Sequence, residues 1–444
     1  MKLLVNPTDA FNGEIKAPSS KSYSHRAFFA ASLSNGGSHI INPIDQGDVK
    51  ITIQSLKLLG ANFKKINEKL NEYLVEKGIN LHHVNKISLN CKNSGTTVRF
   101  LTALSLIYRG ELYLYGEFFK KKRPILPLLR SLEPLGVRYD LLNESLTIKQ
   151  NKITCKTIKI PGNISSQFIS SLLFICPLIQ ANENKEIKIE VAGPIVSFPY
   201  IKITLDVLNA FGIKIYEKMI DDSLINYQIP LNQEYNADEY QVPGDFSSIA
   251  FIIAAGVLSP SDSFIKITNV NFLKPQGDRK FIEILRKMGA HIEEDVHLNT
   301  LMIEGNINKY PLTGIEIDVK DIPDLFPILA VIGAHSTGST TLYNALNLRY
   351  KESDRIEVTA RELTKMGVMI EKERDKLIIH HCRKFKGIVV NHYKDHRIAM
   401  AFTIAALFAE SSSEIADIEI INDSYPGFIN DLLIIGADLK ISDK

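Results

Sequence analysis

The stretch "IQSLKLLGANF", Ile53 to Phe63, reads as an amphipathic helix that stops at Gly60 and continues as a strand. Glycine just past the last helical turn is the expected stop, because without a Cβ it takes up the left-handed conformation that ends the helix. Five further segments repeat the form: "LLRSLEPLGVRY", "TLDVLNAFGIKI", "IEILRKMGAHI", "ARELTKMGVMI" and "INDLLIIGADL". Their glycines are Gly136, Gly212, Gly289, Gly367 and Gly436, so the six stand 76, 76, 77, 78 and 69 residues apart. A near-constant period of that size marks a repeated supersecondary unit.

A second series runs in phase with the first. Polar clusters that open an apolar helix occur at "SSKSYSHRAFFAASL", "NSGTTVRFLTALSLI", "SSQFISSLLFICPLI", "GDFSSIAFIIAAGVL", "IPDLFPILAVIGA" and "KDHRIAMAFTIAALF". Turn-and-strand runs such as "GELYLYG" and "EIKIEVAG" follow them. One unit is therefore strand, buried helix, strand, second helix and two strands, and six such βαβαββ units account for nearly the whole chain. Helices so apolar cannot lie exposed on one side of a solenoid. An α/β fold is expected with helices inside and sheets around them. Three units closing on each other make one lobe, so two similar lobes should form, with the polar starts of the buried helices aimed at a common cleft.

The bulk composition narrows the function. In 444 residues, 52 basic and 50 acidic side chains leave a formal net charge of +2, so any attraction for anions comes from local clusters, and nucleic-acid binding is not indicated. Cys91, Cys155, Cys176 and Cys382 are scattered without a C-x-x-C pair, which argues against a disulfide framework or thiolate metal site and for a reducing cytosol. Neither the N-terminus nor runs such as "AMAFTIAALFA" have the apolar length of a signal peptide or a membrane span.

The first buried helix opens "APSSKSYSHRAFFAAS", Ala17 to Ser32, and places Lys21, His25 and Arg26 where the helix dipole disfavours cations. An anion site at the helix start removes the difficulty, since a bound ligand pairs the charges. Ser22 and Arg26 share one face of this helix, and Lys21 and His25 share another. Hydroxyls and amides recur at the other starts, in Thr96, Thr97, Ser165, Ser166, Gln167, Ser247 and Ser248, and N-capping is the competing explanation for each serine. Comparable cations are Arg99, Arg123, Lys351, Arg355 and Arg397. A surface ion pair with Glu352 is the competing explanation for Arg355, and Arg99 could equally be a structural arginine tying helix to sheet and is left out of the candidate site. No phosphate-binding G-x-x-x-x-G-K-[ST] loop and no G-x-G-x-x-G are present, so neither a nucleoside triphosphatase nor a dinucleotide enzyme is indicated. His392 and His396 are four apart but lack a third ligand, and no metal is expected.

Taken in order, "PSSKSYSHRA", "NSGTTVRFL", "RPI", "SSQFISSLL", "SFPYIKIT", "GDFSSIAF", "IPDLFPILA", "LRYKESDRI" and "DHRIAMAF" resemble the 5-enolpyruvylshikimate-3-phosphate synthase family of enolpyruvyl transferases over essentially the full chain. The resemblance implies two lobes of three βαβαββ units each. It implies transfer of the enolpyruvyl group of phosphoenolpyruvate to the 5-hydroxyl of shikimate 3-phosphate, with release of phosphate and no cofactor. It assigns Lys21, Ser22, Arg26, Ser165, Ser166, Gln167, Ser197, Tyr200, Asp324, Asn347 and Lys351 to shikimate 3-phosphate. Phosphoenolpyruvate would meet Lys21, Gly95, Arg123, Gln167, Arg355 and Arg397, with Gly95 kept small to leave room for it. Asp324 would be the base, Glu352 the acid that protonates the methylene carbon, and Lys21 a further catalytic group. The first lobe would comprise residues 1–17 and 231–444 and the second 18–230, with the active site in the cleft between them, in a cytoplasmic monomer.

One position departs from the family pattern K-[ST]-[FY]-P near the C-terminus: in "INDSYPGF" Asp423 stands where the lysine is usual. A carboxylate there repels an anionic substrate, and Lys394 is the candidate compensating charge. The alternatives are the sister transferase acting on UDP-N-acetylglucosamine, whose K-N opening and reactive cysteine are absent, and a catalytically weak binder of phosphorylated metabolites. Cations on both lobes repel until ligands pair them, so closure is expected on substrate binding. Small-angle scattering should show a smaller radius of gyration with both substrates than without; equal compactness in the two states contradicts closure.

Overall fold

All six glycines of the repeat have left-handed backbone, with φ of +104°, +87°, +81°, +116°, +98° and +100° in chain order. At Gly289 the amide donates to the Leu285 and Arg286 carbonyls at 3.1 Å and the next amide, of Ala290, returns to Leu285 at 2.9 Å. This closes the Lys280–Met288 helix and turns the chain into the strand His291–Asp295. The computed structural model describes residues 1–442 apart from 69, 152, 154–155, 182–184, 222–223 and 237–238. Cys91 and Cys176 are buried free thiols and Cys382 is half-buried, while Cys155 lies outside the described residues.

Among the described residues there are six four-stranded sheets, one per repeat. In the second, Lys86–Asn90 runs parallel to Glu111–Tyr115 across the buried helix Gly95–Leu104. Glu111–Tyr115 then pairs antiparallel with Ser145–Gln150, which pairs with Val137–Leu141 at the edge. The other sheets have the same order, but three borrow a strand. Asn12–Lys16 leads into the helix Lys21–Leu33 yet pairs with Ser263–Thr268, and Glu239–Gln241 leads into the helix Phe246–Val257 yet pairs with Ser38–Ile41. The N-terminal strand Lys2–Val5 fills the last sheet between Ser413–Ala416 and Leu439–Ser442.

Two compact units follow: Met1–Pro18 with Pro243–Lys444, and Ser19–Val242. The second crossing falls twelve residues beyond the expected position near 230, because Tyr235 donates its hydroxyl to the Phe174 carbonyl, Glu239–Gln241 joins a sheet of the second unit, and the Val242 amide bonds Ile41 at 3.0 Å. A three-residue strand has too short an alternation to be read from sequence.

Each unit has its own core around three buried helices. In Ser19–Val242 these are Lys21–Leu33, Gly95–Leu104 and Ser166–Ile175, and one phenylalanine from each meets at the centre: Phe29, Phe100 and Phe174, with ring centroids 5.0 to 5.4 Å apart. In the other unit Phe246–Val257, Phe326–His335 and His396–Leu407 pack on one another; every residue of the first and third is buried. Helices apolar on all sides need such enclosure. No helix among the described residues is long and apolar enough to cross a membrane.

Two of the repeat glycines separate conformational strain from crowding. A Cβ on Gly289 would lie 2.8 Å from the Pro311 carbonyl oxygen, whereas one on Gly367 would meet only the Lys386 Cε at 3.9 Å. Chemical denaturation should show Gly367→Ala losing about 1 kcal/mol and Gly289→Ala about 2–3 kcal/mol. Equal losses would mean that crowding at Pro311 adds nothing.

Candidate active site

Within Ser19–Val242 the starts of the three buried helices are tied together by side chains. On Lys21–Leu33, Arg26 is buried and its four hydrogen-bond partners are neutral: Thr204 Oγ1 at 2.8 Å, the Ser22 carbonyl at 2.8 Å, the Tyr200 carbonyl at 3.1 Å and Ser170 Oγ at 3.5 Å. Burial pulls its pKa down to about 10. His25 faces inward to Thr52 at 2.8 Å, and Thr52 bonds Thr97 at the start of the next helix at 2.7 Å. Burial, with Lys21 and Arg26 alongside, holds the imidazole well below its usual pKa, so His25 is a neutral member of this chain of hydroxyls. Lys21 and Ser22 are half-buried in the first turn.

The second and third helix starts meet at Gly95. A Cβ there would lie 3.0 Å from both Arg123 Nη2 and Arg99 Nη1. Arg123 donates to the Asn93 carbonyl at 2.6 Å, and Arg99 bonds the Pro124 carbonyl at 3.0 Å and Gln167 Oε1. Gln167 donates in turn to Thr96 at 3.0 Å. Phe118 lies 5.3 Å from each guanidinium carbon. Arg99, left out of the sequence-based site, therefore stands beside Arg123 with the glycine between them. The immediate reason for a small residue at Gly95 is these guanidiniums. Ser165 accepts the Gln167 amide at 3.3 Å and so caps its helix, while Ser166 is buried behind it. Ser197 is buried in left-handed backbone, φ +56°, opening the Phe198–Ala210 helix on which Tyr200 is half-buried.

The other unit assembles a charged network instead. Arg355 opens the helix Arg355–Lys365 and is 1% exposed, which excludes a surface ion pair. Its Nε bonds Asp395 at 3.0 Å, Nη1 bonds Asp324 at 2.8 Å and the Pro323 carbonyl at 3.3 Å, and Nη2 bonds Glu352 at 3.0 Å and Asp395 at 3.4 Å. All five donors of the fork are thus engaged. Burial acts to lower its pKa, but Asp395, Asp324 and Glu352 outweigh that and hold it well above the usual value.

Asp324 has a second cation on its other oxygen: Arg397 Nη2 lies 3.3 Å from Oδ2, and Arg397 Nη1 bonds the Ser247 carbonyl at 2.9 Å. Asp395 caps the His396–Leu407 helix through the Arg397 amide at 2.9 Å and accepts Ser353 Oγ at 3.0 Å. Asp395, the first residue of "DHRIAMAF", carries no local sign of a part in the site, because its partners Ser353 and Arg355 lie about forty residues upstream. Asn347 is buried on the Leu346–Tyr350 turn, Lys351 is half-buried just after it, and the Asn347 Oδ1 has no hydrogen-bond partner among the described residues. Both ring nitrogens of His392 are occupied by backbone, the Ala416 carbonyl at 2.9 Å and the Lys394 amide at 3.1 Å, which leaves none for a metal. Half-buried Asp423 precedes Ser424, whose carbonyl accepts Ser248 Oγ at 3.5 Å, so this loop reaches the start of Phe246–Val257. Lys394 is exposed on the turn before Asp395.

The family model described as EPSP synthase (3-phosphoshikimate 1-carboxyvinyltransferase) matches residues 5–432. The chain belongs to the EPSP synthase family. Among curated relatives, 3-phosphoshikimate 1-carboxyvinyltransferase of Methanocaldococcus jannaschii is 42% identical over 447 residues, covering 99% of each chain. The protein of the same name from Methanococcus maripaludis strain C6 is 40% identical over 444 residues, covering 99% of this chain and 100% of its own. Of solved structures, EPSP synthase from Acinetobacter baumannii superimposes with a TM-score of 0.78 at 24% identity over the whole of both chains. The enolpyruvyl transferase NikO from Streptomyces tendae gives 0.76 at 16% identity, covering 99% and 98%. At those identities the structures support the fold alone.

For an EPSP synthase family member, the packing at Gly95 carries a kinetic expectation. In Gly95→Ala the added methyl displaces flexible guanidinium ends and no backbone, so the melting temperature should move little. The Michaelis constant for phosphoenolpyruvate should rise about tenfold, a shift of roughly 1.4 kcal/mol in binding. An unchanged constant would separate Arg99 and Arg123 from substrate binding.

Proposed function

We propose that the chain transfers the enolpyruvyl group of phosphoenolpyruvate to the 5-hydroxyl of shikimate 3-phosphate, with Asp324 as base and the arginines of both units as anion holders. Family membership over residues 5–432 supports the activity. The observation that supports the site is Asp324, held by Arg355 on one oxygen and Arg397 on the other. A carboxylate fixed in this way is oriented to take a hydroxyl proton as the oxygen attacks C2. In this reading the same two guanidiniums stabilise the charge that moves onto the departing phosphate. Lys21, Gly95, Arg123 and Gln167 complete the phosphoenolpyruvate set, and Ser22, Arg26, Ser165, Ser166, Ser197, Tyr200, Asn347 and Lys351 the shikimate 3-phosphate set.

The engagement of Arg355 sets a condition on this reading. An incoming anion reaches its fork only by taking the place of a present partner, of which Glu352 and Asp324 are half-buried and Asp395 is buried, and a charge-assisted bond is exchanged for another of similar strength. Glu352 must carry a proton to act as an acid, and releasing Arg355 is what makes room for that proton. A cytosolic monomer without metal or organic cofactor is part of the same reading.

A phosphate-release assay tests it. Release is expected with phosphoenolpyruvate and shikimate 3-phosphate and none with UDP-N-acetylglucosamine; release with the nucleotide sugar favours the sister activity, and none with either the non-catalytic binder. Asp324→Asn should lower kcat by about 10²-fold or more. Lys394→Ala should raise the Michaelis constant for phosphoenolpyruvate, and an unchanged value removes Lys394 as the substitute for the missing lysine.

A further inference from the structure

Asp278 has no task in the account above. It lies on the short turn Gly277–Arg279 that precedes the Lys280–Met288 helix, is 3% exposed, and accepts a hydrogen bond from Ser247 Oγ. The Ser247 carbonyl accepts Arg397 Nη1 at 2.9 Å, and Arg397 Nη2 faces Asp324 at 3.3 Å. Three contacts, through Ser247 and Arg397, therefore join Asp278 to the carboxylate proposed as base. Charged groups that face it include Asp324 from the Pro323–Leu325 turn, Asp245 from the start of Phe246–Val257, and Arg397 from His396–Leu407. On its own turn Arg279 is turned elsewhere, to Glu294 at 2.9 Å and the Phe272 carbonyl at 2.8 Å.

Asp324 and Asp245 oppose a further negative charge at this buried position, and Arg397, which favours it, already serves Asp324. Burial first, then Asp324, push the Asp278 carboxyl up to about 7, against the opposing pull of the Ser247 hydroxyl and Arg397.

We propose that Asp278 is a positioning residue of this half-site, protonated in the working enzyme so that Asp324 stays ionised between Arg355 and Arg397 and Ser247 stays fixed beneath Arg397. The inference rests on the reading of Asp324 as base. Ionising Asp278 places one more negative charge beside a site that receives two phosphorylated acids, and it draws Arg397 away from Asp324. Substrate binding therefore weakens as the proton leaves.

The Michaelis constant for phosphoenolpyruvate is measured in wild type and in Asp278→Asn, which keeps the shape but cannot ionise, from about pH 6 to about pH 8.5. The ratio of the wild-type constant to that of the variant should rise about tenfold over this range, with kcat changing less. A ratio independent of pH, the mark of a merely structural aspartate, overturns the proposal. In case Asp278→Asn fails to fold, infrared spectra of the wild type give a second readout. A protonated-carboxyl stretch should fade as pH rises, and Ser247→Ala should move its midpoint upward; absence of the stretch, or a midpoint indifferent to Ser247→Ala, also overturns it. Asp324→Asn keeps the two readings apart. If that variant turns over like wild type, the base assignment falls and this inference with it; if it is inactive while the ratio stays flat, only the role of Asp278 falls.

Discussion

Asp324 holds two buried guanidinium groups, Arg355 through one oxygen and Arg397 through the other, and this bridge constrains the rest of its unit. An unpaired charge at such depth costs several kcal/mol, so the arginines are tolerable only where carboxylates reach them. That requires the Pro323–Leu325 turn and the starts of the Arg355–Lys365 and His396–Leu407 helices to arrive together. The repeat delivers this arrangement, because each buried helix enters from the same end of its parallel strand pair. The left-handed glycines secure the repeat in turn by ending every second helix at the same place.

The two units handle buried cations differently. In Ser19–Val242 the fork of Arg26 is held by carbonyls and hydroxyls, with burial lowering its pKa, whereas three carboxylates keep Arg355 firmly charged in the other unit. A phosphate arriving at Arg26 meets a cation with neutral partners. One arriving at Arg355 must exchange partners with a carboxylate. In the proposed reading the first arrangement favours capture and the second ties binding to a rearrangement of the groups assigned to the chemistry, which would put binding energy to use at the reacting centre.

Much of this was legible in the sequence where a signal is local. The glycine stops were, since a left-handed helix end asks for one residue at one position. The burial of Arg26 and Arg397 near the starts of their helices was, since the apolar runs that follow them require enclosure. The place of Arg99 beside Arg123 was hidden, because Arg123 and Gln167, the partner of Arg99, are 24 and 68 residues away in sequence and only the fold brings them to Gly95. Asp278 and Asp395 gave no signal for the same reason: a buried carboxyl is recognised by what faces it. The borrowed strands Lys2–Val5, Asn12–Lys16 and Glu239–Gln241 were hidden too, since pairing partners some two hundred residues or more away leave no periodicity.

The central claim is that Arg355 and Arg397, gathered on Asp324, exchange part of that network for the substrate anion. A crystal structure with shikimate 3-phosphate and phosphoenolpyruvate bound measures this most directly. The account predicts phosphoenolpyruvate oxygens within hydrogen-bond distance of both guanidiniums, at least one carboxylate contact of Arg355 given up, and an oxygen of Asp324 facing the 5-hydroxyl. Substrates bound elsewhere, with all five donors of Arg355 still on their present partners, would contradict it.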